Sequence, residues 1–306
     1  MSGHTRVIVT GSAGFIGYHL TKKLLGLGYD IIGIDDLSYG SEEKVALLEK
    51  DKDYLHLCLD IREQETFKVF KDFKPQFVFH TAAISSVPLS VLEPENTYDV
   101  NVGGTKNLID AAIKNKVSRI IFSSSSSVYG DTDNLPTSEE NAKNPKSPYA
   151  EQKLACEFLL KEAAQSNKID TASLRYFNVY GPGQSINSSY SAVIPAFSKA
   201  LKEGDQVTIF GDGKQSRDFV HVNDVVDANI LAAFDHLAIK GESYNVCSQT
   251  SLSLLDLATA MGIKNILFAD KRPGDVFATM GCLDKISKRF GFKPKINLLD
   301  GIKELI

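Results

Sequence analysis

The 306-residue sequence predicts an α/β protein, a doubly wound parallel sheet with a smaller mixed α/β domain. Three observations carry that reading. Short apolar runs alternate with helical patterns through the first half, three glycines separate the first apolar run from the first helix, and the alternation loosens after Tyr176. Continuously apolar strands between helices belong to a sheet covered on both faces.

The strands are expected at Val7-Ile8-Val9, Ile31 to Ile34, Tyr54 to Leu57, Phe77-Val78-Phe79, Ile120-Ile121-Phe122 and Ala172-Ser173-Leu174. Helices are expected to begin near Gly14, Glu42, Glu63, Glu95 and Ser147. Residues 1–175 then form one domain and residues 176–306 a second, with some interleaving of segments. In the second, helices are expected around Ser191 to Lys202, Asn223 to His236 and Leu254 to Met261. Five serines at 123 to 127 resemble a flexible linker, but strand residues flank them on both sides, so they read as a strand exit. The polar stretch from Asp131 to Ser147, with Pro136 and Pro145, is the long loop before a helix.

Composition excludes several classes of function. A formal net charge of -4 without a Lys/Arg block argues against nucleic acid or an acidic membrane surface as the partner. Cys58, Cys156, Cys247 and Cys282 are scattered without a Cys-x-x-Cys pair, so they read as reduced thiols of a cytoplasmic protein. The histidines form no metal-ligand spacing, and no metal is expected. No apolar run reaches the length of a membrane span.

The first glycine turn carries chemistry. Gly11 permits a tight turn, Gly14 lets a pyrophosphate approach the backbone, and Gly17 lets helix and sheet pack closely. After the second strand comes Asp35, whose carboxylate can accept from both adenosine ribose hydroxyls and would repel a 2′-phosphate. NAD is therefore favoured over NADP. Asp36 either joins it or caps the segment that follows.

Ser125, Tyr149 and Lys153 carry the reaction chemistry. Tyr149 and Lys153 lie four apart on one helical face, so the ammonium is expected to stabilise a phenolate and lower the tyrosine's pKa. Such a phenolate can take a proton from an alcohol beside a nicotinamide. Tyr18 and Lys22 have the same spacing, so the motif alone does not choose between the two pairs.

Together with Asp60-Ile61, His80-Thr81-Ala82-Ala83, Asn101 and Arg175-Tyr176-Phe177-Asn178, these motifs make the chain resemble the extended short-chain dehydrogenase/reductases over nearly its whole length. Within that family it resembles the NAD-dependent nucleotide-sugar epimerases and dehydratases. The resemblance implies a Rossmann domain and places Phe15, Ile16, Leu37, Ser38, Gly40, Asp60, Ile61, Ala82, Ala83, Asn101, Ser123 and Tyr176 at the cofactor, beside the glycines, Asp35, Asp36, Tyr149 and Lys153. It implies a diphosphate held by Arg217 and Arg272 and a nucleotide ribose held by Asp275. Ser85, Ser86, Ser126, Asn178, Val193, Ile194, Thr208, Phe210 and Thr279 would surround the sugar nucleotide with Ser125. It also implies a homodimer through helices around 95–114 and 149–166.

The reaction follows from what is missing. Dehydratases and decarboxylases of the family carry an acid beside the strand-end hydroxyl, whereas Ser126 and Ser127 follow Ser125 here. The Ser-Ser-Ser-Val-Tyr-Gly pattern is similar to that of UDP-sugar 4-epimerases, which are isomerases. Ser85 to Pro88, Tyr190 to Pro195 and Gly211 to Phe219 are similar to the bacterial branch acting on UDP-N-acetylglucosamine, and Thr279 leaves room for an acetamido group. UDP-glucose/UDP-galactose, UDP-glucuronate epimerisation, a dehydratase or reductase of the same fold, and a non-catalytic NAD-binding regulator are the alternatives.

Overall fold

The computed structural model describes residues 5–132, 134–185, 193–271 and 276–306. The described elements run β1 (Arg6–Thr10), α1 (Phe15–Leu25), β2 (Asp30–Ile34), α2 (Glu42–Leu48), β3 (Tyr54–Leu57), α3 (Glu65–Phe73) and β4 (Phe77–His80). There follow α4 (Val87–Leu92), α5 (Pro94–Tyr98), a π-helical turn (Asp99–Gly103), α6 (Gly104–Lys114), β5 (Arg119–Ser125) and a 3₁₀ turn (Ser126–Tyr129). After them come α7 (Pro148–Gln165), β6 (Asp170–Tyr176), β7 (Asn178–Tyr180), α8 (Val193–Glu203), β8 (Val207–Phe210), β9 (Ser216–His221) and α9 (Val222–Ala233). The chain ends with β10 (Glu242–Val246), β11 (Ser251–Ser253), α10 (Leu254–Ala260), β12 (Ile266–Ala269), α11 (Asp284–Phe290) and α12 (Leu298–Lys303).

Contacts divide the chain into two compact units. The first comprises residues 1–125, 147–175 and 226–244, and the second residues 126–146, 176–225 and 245–306. The central sheet has seven strands in the order β10-β6-β5-β4-β1-β2-β3. The pairs β1/β2, β1/β4, β2/β3 and β4/β5 are parallel. Strand order reverses between β1 and β4, so the ends of these two strands open the crevice where a doubly wound sheet takes its ligand.

The first unit builds its core from the apolar strands. Ile8, Val78, Ile120 and Phe122 pack against Phe70, Leu108, Ala112 and Leu160. Phe234 stacks on Tyr29 at 5.0 Å between ring centroids and meets the edge of Phe77 at 4.9 Å. Arg119 holds the end of α9. Its guanidinium donates to the carbonyls of Ala232, Ala233, Asp235 and Leu237 and pairs with Asp170 at 2.7 Å, giving the helix terminus both its missing donors and a cation.

In the second unit β9 lies between β7, parallel to it, and β11, antiparallel to it. A two-stranded parallel sheet of β8 and β12 lies beside α8. Tyr180, Ile194, Phe197, Ile209, Phe219, Leu257, Met261 and Leu298 form its core. Among the described residues, no helix is long and apolar enough to cross a membrane.

The six expected strands are present. The helix expected near Glu95 is interrupted by the π turn, and the sheet gains β10 as a seventh strand. Helices α4, α11 and α12 were not expected; each is about two turns or fewer, too short for apolar periodicity to register. Ser191, the expected start of one helix, lies outside the described residues, and α8 is described from Val193.

Candidate active site

The glycine turn is built by steric necessity. Gly11 adopts φ +68°, and a Cβ there would lie 2.7 Å from the Ala82 backbone nitrogen; one at Gly17 would lie 2.0 Å from the Gly11 carbonyl oxygen. Gly14 caps α1 with neither a side-chain cap nor an acid in the first turn, where Phe15 and Ile16 begin the helix. The helix therefore presents unoccupied backbone donors and a positive dipole end at the sheet crevice. These features fit a dinucleotide pyrophosphate.

Asp35 follows β2 and is 8% exposed. Its carboxylate accepts from the Ala13 N–H at 3.0 Å and the Leu37 N–H at 2.9 Å. Burial raises its pKa, and the two backbone donors oppose that rise. Leu37 sits at φ +62°, a left-handed conformation rare for leucine, and its N–H bond to Asp35 helps fix it. Gly40 passes so close that a Cβ there would lie 2.6 Å from the Asp35 carboxylate. Asp36 takes the capping role, accepting from the Ser38 backbone at 3.0 Å and the Ser38 hydroxyl at 2.6 Å.

Several residues expected at the cofactor are committed to protein contacts. Asp60 is gripped by Arg62, whose Nε lies 3.0 and 2.9 Å from its two oxygens, and the guanidinium holds the carboxyl below its ordinary range. Ile61 is buried against Gly104. Ala82 donates to the Thr10 hydroxyl at 3.3 Å, and Ala83 follows on the same turn. Asn101 braces the turn after β4. Its amide accepts from the Ile84 N–H at 2.8 Å and donates to the Ile84 carbonyl at 3.1 Å and to Gln152 at 2.8 Å, which uses its side-chain oxygen and both amide hydrogens.

His80 shows how this brace extends to the glycine turn. Thr105 donates its hydroxyl hydrogen to the Asn101 carbonyl at 2.5 Å, so it accepts from His80 Nε2–H at 2.9 Å. The His80 Nδ1 then accepts from Thr10 at 2.8 Å, leaving the Thr10 oxygen to accept from Ala82. Burial pushes the His80 pKa down to about 3, so the ring is neutral.

The reactive group lies where β5 meets α7. Lys153 Nζ donates to the Ser123 carbonyl at 2.8 Å, Ser124 donates to Glu157 at 2.5 Å, and Ser125 hydrogen-bonds the Tyr149 hydroxyl. Three consecutive strand residues are thus held by helix residues spaced four apart. Ser147 caps α7, and the Ser90 hydroxyl accepts from the Tyr149 N–H at 3.1 Å.

In the protein chain alone, desolvation rather than Lys153 dominates the Tyr149 pKa. Burial pushes the phenol up to about 12 despite the opposing Ser125 bond, while burial lowers Lys153 to about 8. Lys153 spends a hydrogen bond on Ser123, its Nζ lies 5.8 Å from the Tyr149 ring centroid, and it sits closer to Phe122, at 4.7 Å.

The sequence reading missed three residues of this arrangement. Glu157 is buried and forms two short bonds with Arg175, at 2.9 and 2.6 Å. Its only signal was its place one turn after Lys153. Ser90 and Gln152 left no signal, since each acts through backbone or amide contacts that no spacing rule reveals.

Of the residues expected at the sugar nucleotide, Ser85 is exposed and Ser86 caps α4, accepting from the Leu89 N–H at 3.2 Å. Within the second unit, Ser126 opens the 3₁₀ turn and Tyr176 is buried at the end of β6. Asn178 donates to the Asp218 carbonyl at 2.9 Å and to Thr279 at 3.3 Å. Arg217, half-buried on β9, donates to the Ser216 carbonyl at 2.9 Å and the Phe277 carbonyl at 3.4 Å. Thr208 is exposed on β8, Phe210 ends that strand and Val193 opens α8, half-buried. Ile194 is 1% exposed and packs in the apolar core of the second unit. Arg272 and Asp275 lie outside the described residues.

A doubly wound sheet with a glycine turn, a ribose-type acid and a Ser/Tyr/Lys group defines a dinucleotide-dependent protein of the extended short-chain dehydrogenase/reductase class. Residues 7–247 match the profile of the NAD dependent epimerase/dehydratase family, and the chain belongs to that family. It is 36% identical to a UDP-glucose 4-epimerase of Mycolicibacterium smegmatis over 98% of this chain and 97% of the relative. A UDP-N-acetylglucosamine 4-epimerase from Methanobrevibacter ruminantium, solved with UDP-N-acetylmuramic acid, superposes with a TM-score of 0.93 at 35% identity, covering 99% of this chain and 97% of that one. The Thermotoga maritima UDP-glucose 4-epimerase, solved with UDP-glucose, gives 0.92 at 33% identity, covering 98% and 97%.

Proposed function

We propose that the protein is an NAD-dependent UDP-sugar 4-epimerase, an isomerase acting through a transient 4-keto sugar on UDP-N-acetylglucosamine/UDP-N-acetylgalactosamine, UDP-glucose/UDP-galactose or both. The observation that carries this reading is the register between β5 and α7, which ties Ser125 to Tyr149 and anchors Lys153 beside them. Residues 1–175 serve NAD and residues 176–306 the sugar nucleotide, with segments interleaved. Gly11, Gly14 and Gly17 make way for the pyrophosphate, and Asp35 takes the ribose hydroxyls. Bound NAD supplies a hydride acceptor and donor and a positive nicotinamide ring. Tyr149 takes the proton of the sugar 4-hydroxyl and Ser125 hydrogen-bonds the same oxygen. The keto sugar turns over, so that its other face would receive the hydride back at carbon 4, and Tyr149 returns the proton to the 4-oxygen. Lys153 supplies positive charge near the phenolate and orients the nicotinamide ribose. Ser126 and Ser127 offer no carboxylate for eliminating water. Arg217, together with Arg272, pairs with the diphosphate.

The four cysteines are free thiols, which agrees with a cytoplasmic enzyme. A homodimer is supported by large apolar side chains exposed on packed helices: Val91 and Leu92 on α4, Tyr98 on α5 and Phe158 on α7. Proton NMR of the purified protein with UDP-N-acetylglucosamine, UDP-glucose and UDP-glucuronate, in separate tubes without added NAD, tests the function. Formation of the 4-epimer of an offered sugar is the expected result. Stoichiometric NADH consumption, a 4-keto-6-deoxy product or released carbon dioxide would overturn it.

A further inference from the structure

Asp218 is a carboxylate with 0% exposure in the middle of β9, and the four groups it accepts from come from two other segments. One oxygen takes the Ser248 N–H and the Ser248 hydroxyl, both at 2.8 Å. The other takes the Gln249 N–H and the Gly281 N–H, both at 3.0 Å. Its own N–H donates to Thr279 Oγ1 at 3.1 Å, and its carbonyl accepts from Asn178 at 2.9 Å. Gln249 is held at φ +60°, a left-handed conformation that costs an ordinary side chain on the order of 1 kcal/mol. Segment 277–281 also bonds Ser216 through Phe277 and Thr279. It packs so tightly that a Cβ on Gly281 would lie 2.6 Å from the Cys247 sulfur.

A carboxylate so deeply buried is expensive, and an apolar side chain would fill the place with less strain. What only a carboxylate does here is accept from four donors at once. All four converge on the strand residue between Arg217 and Phe219: three come from Ser248 and Gln249, and the fourth, the Gly281 N–H, comes from the segment that bears Thr279. Resting on the nucleotide-sugar reading above, we propose that Asp218 is the positioning residue of the sugar-nucleotide site, its carboxylate locking the segment of Thr279 to the strand of Arg217. Asp218 touches no reacting atom. It acts through the places of Arg217, Asn178 and Thr279.

Asp218→Asn keeps the shape and removes the match. Whichever way the amide turns, its NH₂ faces at least one backbone N–H. The variant is expected to raise KM for the UDP-sugar and weaken calorimetric binding of UDP by about tenfold, the loss of one to two good hydrogen bonds. Its kcat should stay within about threefold, since the chemical groups are untouched, and its bound NAD should match wild type. Ser248→Ala removes one donor without introducing a clash and is expected to raise KM about threefold; it carries the test if Asp218→Asn does not fold. A lower melting temperature with unchanged KM and UDP affinity in the folded variants would overturn the inference, as would a fall in kcat alone. Wild-type protein that binds UDP but epimerises no sugar would sink the epimerase reading and leave the Asp218 test standing through UDP affinity. Wild type that does not bind UDP would sink both.

Discussion

The Tyr149 phenol is pushed up by burial to about 12 and opposed by a hydrogen bond from Ser125, so the hydroxyl that must give and take the proton is held by one neighbour and isolated by the rest. Tyr149→Phe is expected to lower kcat by roughly a hundredfold or more, in the range found for lost acid–base catalysis, while NAD content stays unchanged; steady-state rates beside the absorbance of released nucleotide check both. His80 makes a prediction about stability. Its pKa falls from 6.5 in the ordinary ring to about 3 in the fold. Below pH 6.5 the unfolded chain takes up a proton that the folded one refuses, so stability is complete above that pH and declines as pH falls toward 3. Urea unfolding at pH 7 and pH 5 should show wild type losing about 2 kcal/mol more over this interval than His80→Gln. Equal losses would contradict the neutral tautomer derived from Thr105 and Thr10.

At the scale of elements, α7 is fastened to the sheet at several points, and the most costly to break is the pair of Glu157 and Arg175, whose side chains are 6% and 5% exposed. Glu157→Gln leaves the guanidinium without its counter-charge and should cost about 3–5 kcal/mol of unfolding free energy, measured by denaturant titration with NAD present and absent. A cost below about 1 kcal/mol would mean that water or another acceptor replaces the carboxylate. The strands of the parallel sheet were legible because their apolar runs are continuous, and the triad because Tyr149 and Lys153 share a helical face. Glu157 was illegible for the opposite reason: a glutamate on a helix ordinarily faces water, and only the arrival of Arg175 and Ser243 from later strands makes it a core residue. An amide such as Asn101 can serve a ligand or the backbone, and its spacing alone does not show the three hydrogen bonds to Ile84 and Gln152 that it makes here. Helical spacing says that a lysine is near Tyr149 but not how strongly desolvation raises the phenol in the protein chain alone.

For the whole molecule, the exposed apolar residues on α4, α5 and α7 make the state of assembly testable without any assay of activity. Phe158 is 63% exposed in the protomer, so Phe158→Glu should break the proposed homodimer and lower the sedimentation coefficient without unfolding the chain, since a substitution at an exposed position changes the protomer's own stability little. An unchanged coefficient would remove these helices as the dimer surface. The run of serines at the end of β5 has a different global consequence. Each of positions 123, 124 and 125 answers to its own helix residue, through a carbonyl, a core hydroxyl and a reactive hydroxyl in turn. The letters repeat, yet the positions are not interchangeable, because inserting or deleting one serine would rotate every later side chain to the other face of the strand. A repeat of this kind is where copying errors in a gene add or drop a unit, and here its count works as a ruler: one unit more or fewer would displace the Ser125–Tyr149 contact and the Ser124 bond to Glu157 together.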